Sequence, residues 1–171
     1  MKQSLKPLYI LSFALILTFP ISAAVPDPVH LDSGSVSGIP ANDSGIRVFK
    51  GIPFAAPPVG DLRWRAPMPV APRTGTRKAD TFAPACMQVG VSMPGETPPA
   101  VSEDCLYLNI WTPAQAKTAT KSTPARQSLP VIVWIYGGGY INGSASMPLY
   151  WGDQLAHKGV VVVTLRIGLA R

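Results

Sequence analysis

A chain of 171 residues, 47% of them hydrophobic and 14% charged, holds one domain at most. Its net charge of +6 is scattered along the sequence, and the densest basic stretch, Arg73 to Lys78, is interspersed with Gly and Thr; no nucleic-acid footprint is present. Two Cys without a His cluster fall short of the four donors of a structural zinc site, so neither metal nor any other cofactor is expected.

In chain order the first element is a targeting segment. Lys2 and Lys6 precede an apolar run from Leu8 to Phe19, followed by Pro20 and the small residues Ser22-Ala23-Ala24. That run is well short of the roughly 20 residues a membrane-spanning helix needs, so residues 1–24 read as a signal peptide cleaved after Ala24. The mature chain, residues 25–171, is then secreted or periplasmic with no membrane anchor after cleavage, and no Cys follows Ala24 to accept a lipid.

Residues 29–52 read as short antiparallel strands, with Gly34, Gly38 and Asn42-Asp43-Ser44-Gly45 at the turns and Ile46 to Phe49 carrying the apolar side chains. From Pro53 to Pro72 the chain is an extended loop pinned by prolines. Export places Cys86 and Cys105 where disulfides persist, and a Cys86–Cys105 bridge is predicted, two buried free thiols being the alternative. Leu106 to Trp111 is a compact apolar run, and residues 113–128 read as an exposed connection. Val131 to Ile135 and Val160 to Val163 are continuous rather than alternating β-branched runs, which predicts strands buried on both faces. A helix is expected from Leu149 to His157, closed by Gly159. Strand, loop, helix, strand is the crossover unit of a parallel sheet.

Tyr136-Gly137-Gly138-Gly139-Tyr140 follows the first of these two strands directly. Consecutive glycines adopt backbone angles that turn successive N–H groups toward one point, where they bind an oxygen gaining negative charge. A phosphate-binding loop would need Lys then Ser or Thr after Gly143, where Ser144-Ala145 stand; a dinucleotide fingerprint would need Gly at Asn142. An oxyanion hole and a purely structural turn remain.

Three segments together resemble the type-B carboxylesterase and lipase family, which includes cholinesterases and para-nitrobenzyl esterases. Phe49-Lys50-Gly51-Ile52-Pro53-Phe54-Ala55-Ala56-Pro57-Pro58-Val59-Gly60, continuing through Leu62-Arg63-Trp64 to Pro67, is similar to the family's first signature. Ser102-Glu103-Asp104-Cys105-Leu106-Tyr107-Leu108-Asn109-Ile110-Trp111 resembles the second, and Leu129 to Tyr136 running into the glycines resembles the third. The resemblance implies an α/β-hydrolase fold, of which this sequence carries the N-terminal part: small antiparallel leading strands, then the start of a mostly parallel central sheet. It implies Gly138 and Gly139 as backbone oxyanion donors, Cys86 with Cys105 as a disulfide, and a structural Arg63–Glu103 salt bridge. Tyr136 departs from the His often found before the glycines, as in cholinesterases.

Such enzymes hydrolyse small carboxylic esters through a serine acyl-enzyme, with chain order Ser, acid, His. The sequence has no Gly-x-Ser-x-Gly elbow; Gly34-Ser35-Val36-Ser37-Gly38 puts Val where Ser belongs. His30 and His157 precede the place of a nucleophile and read as surface residues. Thr164-Leu165 run straight into Arg166-Ile167-Gly168 where the family continues with an Asn-Tyr-Arg type segment. The expectation is an incomplete, truncated domain, about a quarter to a third of a family member and inactive alone. The alternatives are a non-catalytic, cholinesterase-like binding or adhesion protein, for which Asn42-Asp43-Ser44 and Asn142-Gly143-Ser144 would be glycosylation sequons, and an inert gene remnant.

Overall fold

The computed structural model describes residues 25–41, 43–88, 100–114 and 128–168. The expected signal segment, Asn42 of the first sequon and residues 115–127 of the expected connection lie outside the described residues. The apolar β-branched stretches form nine strands there: β1 Val29–Leu31, β2 Gly34–Gly38, β3 Ile46–Pro53, β4 Thr76–Ala79, β5 Ala85–Cys86, β6 Val101–Ser102, β7 Tyr107–Pro113, β8 Val131–Ile135 and β9 Val161–Leu165.

The main sheet has the order β3-β7-β9-β8. β3 and β9 flank β7 antiparallel, and β8 joins β9 parallel in a register from Val131↔Val161 to Ile135↔Leu165. A small sheet, β1-β2-β4, pairs β1 with β2 antiparallel and β2 with β4 parallel. β5 and β6 form a short parallel pair.

Alternation along β3 and β7 divides the core between the two faces of the main sheet. On one face Ile46, Val48, Trp111 and Val162 pack with Ala156 of the helix α1, Asp153–Ala156. On the other, Phe49 and Ile52, with Leu108 and Ile110, meet Val36 and Ala79 of the small sheet. The guanidinium of Arg47, 6% exposed, reaches back to the Asp27 carboxylate at 2.6 Å and donates to the carbonyls of Val25 and Pro26, tying the start of the described chain to β3.

Two expectations are corrected. The helix expected over Leu149–His157 is divided into a 3-10 turn, Pro148–Tyr150, and the single turn α1. The division falls at Gly152, whose backbone lies so near the sheet that an added Cβ would stand 2.6 Å from the Val162 Cβ and 3.1 Å from the Trp111 Cβ; a continuous helix would have to lift away. Gly159 does take a left-handed φ of 86° just beyond α1. The strands expected to be buried on both faces are not: every residue of β8 is exposed, from 39 to 59%, and β9 alternates. A continuous apolar run fixes the strand but not what covers it, and among the described residues β8 has β9 on one edge only.

Candidate active site

β8 ends at Ile135 and delivers the chain into the glycine run. Tyr136 turns inward, 4% exposed, with its hydroxyl donating to the Ile167 carbonyl at 3.2 Å; burial pushes that phenol above its ordinary pKa. Gly138 and Gly139 then take φ of 126° and 61°, and Tyr140, a residue with a Cβ, is held at 62°. Such an angle outside glycine costs energy that the surrounding structure must supply. Gly138's carbonyl accepts from the N–H groups of Ile141 at 3.0 Å and Asn142 at 3.3 Å, closing a tight turn. An added Cβ at Gly138 would sit 1.9 Å from the Asn142 carbonyl oxygen.

The N–H groups of Gly138 and Gly139 donate to no acceptor among the described residues. Beside them lies a cleft of about 240 Å³ bounded by Ile135, Tyr136, Gly137, Gly139, Tyr140 and Ile167. Two adjacent donors without an acceptor among the described residues thus lie on a loop fixed by its own turn, with Gly139 lining the cleft.

The far side of the loop is anchored in the core. Asn109 of β7, 1% exposed, accepts from the Gly51 N–H at 3.0 Å and donates to the Thr164 hydroxyl at 3.0 Å and the Ala145 carbonyl at 3.4 Å. The Thr164 hydroxyl donates to the same carbonyl at 3.2 Å. A satisfied buried network of this kind fixes one arrangement of the loop's exit against β7 and β9.

Cys86 and Cys105 form a disulfide, with Cα atoms 4.9 Å apart, in a small apolar cluster with Ala55 and Leu106. Arg63 and Glu103 pair at 2.5 Å with both side chains well exposed, 54 and 40%, so the pair lies on the surface. The hydrogen bond to Glu103 and its charge raise the Arg63 pKa. Trp64 beside it is 83% exposed at a φ of 62°. His30 meets the Ser35 hydroxyl at 2.8 Å across the β1–β2 hairpin on an exposed surface, and His157 is exposed at the end of α1. A larger hollow of about 690 Å³ includes His157 and Lys158, but its lining among the described residues brings no carboxylate to the imidazole and it lies away from the glycine loop. Among the described residues no group of three His, Cys, Asp or Glu side chains gathers to hold a metal. The sequence pointed to the glycines, the cysteines and the ion pair; it gave no signal for Asn109, Thr164, or the side chain of Gln88 that touches the loop.

The model of the carboxylesterase family matches residues 26–170. The fumonisin B1 esterase of Sphingopyxis macrogoltabida is 47% identical over 148 residues, which are 85% of this chain and 25% of that protein. The acetylcholinesterase of Gallus gallus is 42% identical, the match covering 95% of this chain and 23% of that protein. A solved PNB esterase superposes with a TM-score of 0.72 at 39% identity, over 83% of this chain and 28% of that one. The fold is therefore that of the α/β-hydrolase esterases in part, and the chain spans about a quarter of the length of the curated relatives it matches.

Proposed function

The chain belongs to the carboxylesterase family, and from that premise we propose that it supplies the oxyanion-binding half of a serine carboxylic-ester hydrolase site. The observation that carries the reading is the pair of N–H groups at Gly138 and Gly139 that donate to no acceptor among the described residues, on a tight turn after β8 whose Gly139 lines a cleft. As a nucleophile attacks an ester carbonyl, the carbonyl oxygen gains negative charge, and two preorganised donors stabilise it with no reorganisation during the step. Small carboxylic esters are the substrate class.

The nucleophile, its histidine base and the orienting acid are not among these 171 residues. Both histidines are exposed away from the cleft, and no Gly-x-Ser-x-Gly elbow occurs in the sequence. β8 leads straight into the glycine loop and, among the described residues, presents apolar side chains and an edge without a partner, so a strand pairing there in parallel would bring its C-terminal end beside Gly138 and Gly139. The nucleophile belongs on such a strand. The 171 residues alone accordingly give no turnover.

We place residues 1–24 as the export signal and the remainder as the esterase segment, secreted or periplasmic; the disulfide supports an oxidising compartment. The test is hydrolysis of p-nitrophenyl acetate by the chain, with and without a covalent serine reagent. Background rates in both are expected. Turnover abolished by the reagent would place a nucleophile within this chain and overturn the reading.

A further inference from the structure

We propose that Gln88 is a positioning residue that clamps the oxyanion loop to the Cys86–Cys105 disulfide. Its side-chain amide grips both backbone groups of Gly143: Oε1 accepts from the Gly143 N–H at 2.7 Å and Nε2 donates to the Gly143 carbonyl at 2.9 Å. The same Nε2 donates to the Cys86 carbonyl at 3.1 Å, which folds the side chain back along its own strand end. A primary amide making two parallel bonds to one residue imitates a strand neighbour, so it fixes orientation as well as position.

Gly143 is the point at which such a grip reaches the glycines. Its φ is 127°, and an added Cβ would stand 2.4 Å from the Tyr136 ring and 2.8 Å from the Gly137 carbonyl, so the end of the loop is stacked directly on its beginning. Gly138, next in the chain, accepts from Ile141 and Asn142. Residues 136–143 therefore form one closed ring of contacts, held on the sheet side through Ala145 and on the disulfide side through Gln88. Without the clamp the ring keeps its turn but loses the bond that sets its tilt. The inference rests on the oxyanion reading for its catalytic meaning, while the clamp itself is a statement about Gly143, Gly138 and Gly139 that holds or fails independently.

The experiment uses the full chain with its disulfide intact, labelled for amide NMR, as wild type, Gln88→Ala and Gln88→Met. In Gln88→Ala the Gly143 amide should exchange faster by about tenfold, the factor set by losing one hydrogen bond's net contribution. The Gly138 and Gly139 resonances should move with it, while the β3–β7 ladder amides of Phe49 and Ile110 hold. Gln88→Met keeps an unbranched side chain of similar length without the amide's donor or oxygen, and should loosen Gly143 as Gln88→Ala does. A wild-type exchange rate at Gly143 in Gln88→Ala overturns the clamp. Faster exchange at Gly143 with Gly138 and Gly139 unmoved overturns the positioning role. Should Gln88→Ala lose the ladder signals, Gln88→Met decides: wild-type exchange at Gly143 in that folded variant refutes the proposal. None of these readouts involves turnover, so a failure of the clamp is distinct from a failure of the oxyanion assignment.

Discussion

Replacing Gly138 with Ala separates an oxyanion loop from an ordinary turn. The new Cβ meets the Asn142 carbonyl oxygen at 1.9 Å, a backbone atom that cannot step aside, at a φ of 126° that L-residues rarely adopt. The turn must open, and the Gly138 N–H loses its fixed direction. Gly137, one residue earlier, is the internal control: its φ is not positive, and a Cβ added there meets nothing within 4 Å. Both variants belong in a chimera in which residues 26–170 replace the matching segment of the PNB esterase, so that a nucleophile is present. Loss of one oxyanion donor costs about 3 to 4 kcal/mol of transition-state stabilisation, so kcat for p-nitrophenyl acetate should fall roughly a hundred- to a thousandfold in Gly138→Ala. Gly137→Ala should stay near the parent. Equal rates in a folded Gly138→Ala chimera would refute the reasoning, and so would equal losses in both variants.

Other consequences follow from the packing. Removing the Cys86–Cys105 bridge, which spans 19 residues, should destabilise the chain by about 3 kcal/mol through unfolded-state entropy, read as a lower denaturation midpoint. Arg166 is 1% exposed with both terminal guanidinium nitrogens unbonded among the described residues, and burial pushes its pKa down to about 10. Arg166→Met should therefore raise thermal stability, by about 1 to 3 kcal/mol, most clearly below that pH, where the buried charge persists; an unchanged or lower melting temperature would show that the guanidinium is satisfied. The Tyr136 phenol is raised by burial, so the folded chain holds this proton to higher pH than the unfolded chain. The stability it confers is complete below the unfolded value near 10 and is lost as pH rises beyond it, so Tyr136→Phe should lessen the alkaline loss in a pH series of melting curves. Val133→Lys on the exposed β8 should reduce self-association in sedimentation, since a charge on an apolar edge strand opposes edge-to-edge pairing.

Much of this architecture was legible in the letters because it is local. Gly and Pro punctuation placed β1 to β3 and the extended loop after Pro53, the β-branched runs placed β8 and β9, and the order of strand, loop, helix and strand made them parallel. Exposure was not legible, since Val131 to Ile135 specify a strand whose cover depends on elements far away in sequence. The helix was overextended for a related reason: the close approach of Gly152 to Val162 and Trp111 is a tertiary contact that no propensity encodes. At the site, the glycine run announced itself through the unusual backbone it needs. Gln88 and Asn109 did not, because a lone amide side chain carries no pattern; 55 residues separate Gln88 from Gly143 and 58 separate Asn109 from Gly51.

When an ester carbonyl becomes tetrahedral, its oxygen must sit within reach of the loop's two donors. A crystal structure of the chimera with a phosphonate transition-state analogue on its nucleophile measures that position directly. The account predicts the analogue's oxygen within about 2.7 to 3.1 Å of the backbone nitrogens of both Gly138 and Gly139. An analogue bound to the nucleophile with that oxygen turned to solvent, or held by other donors, would contradict it.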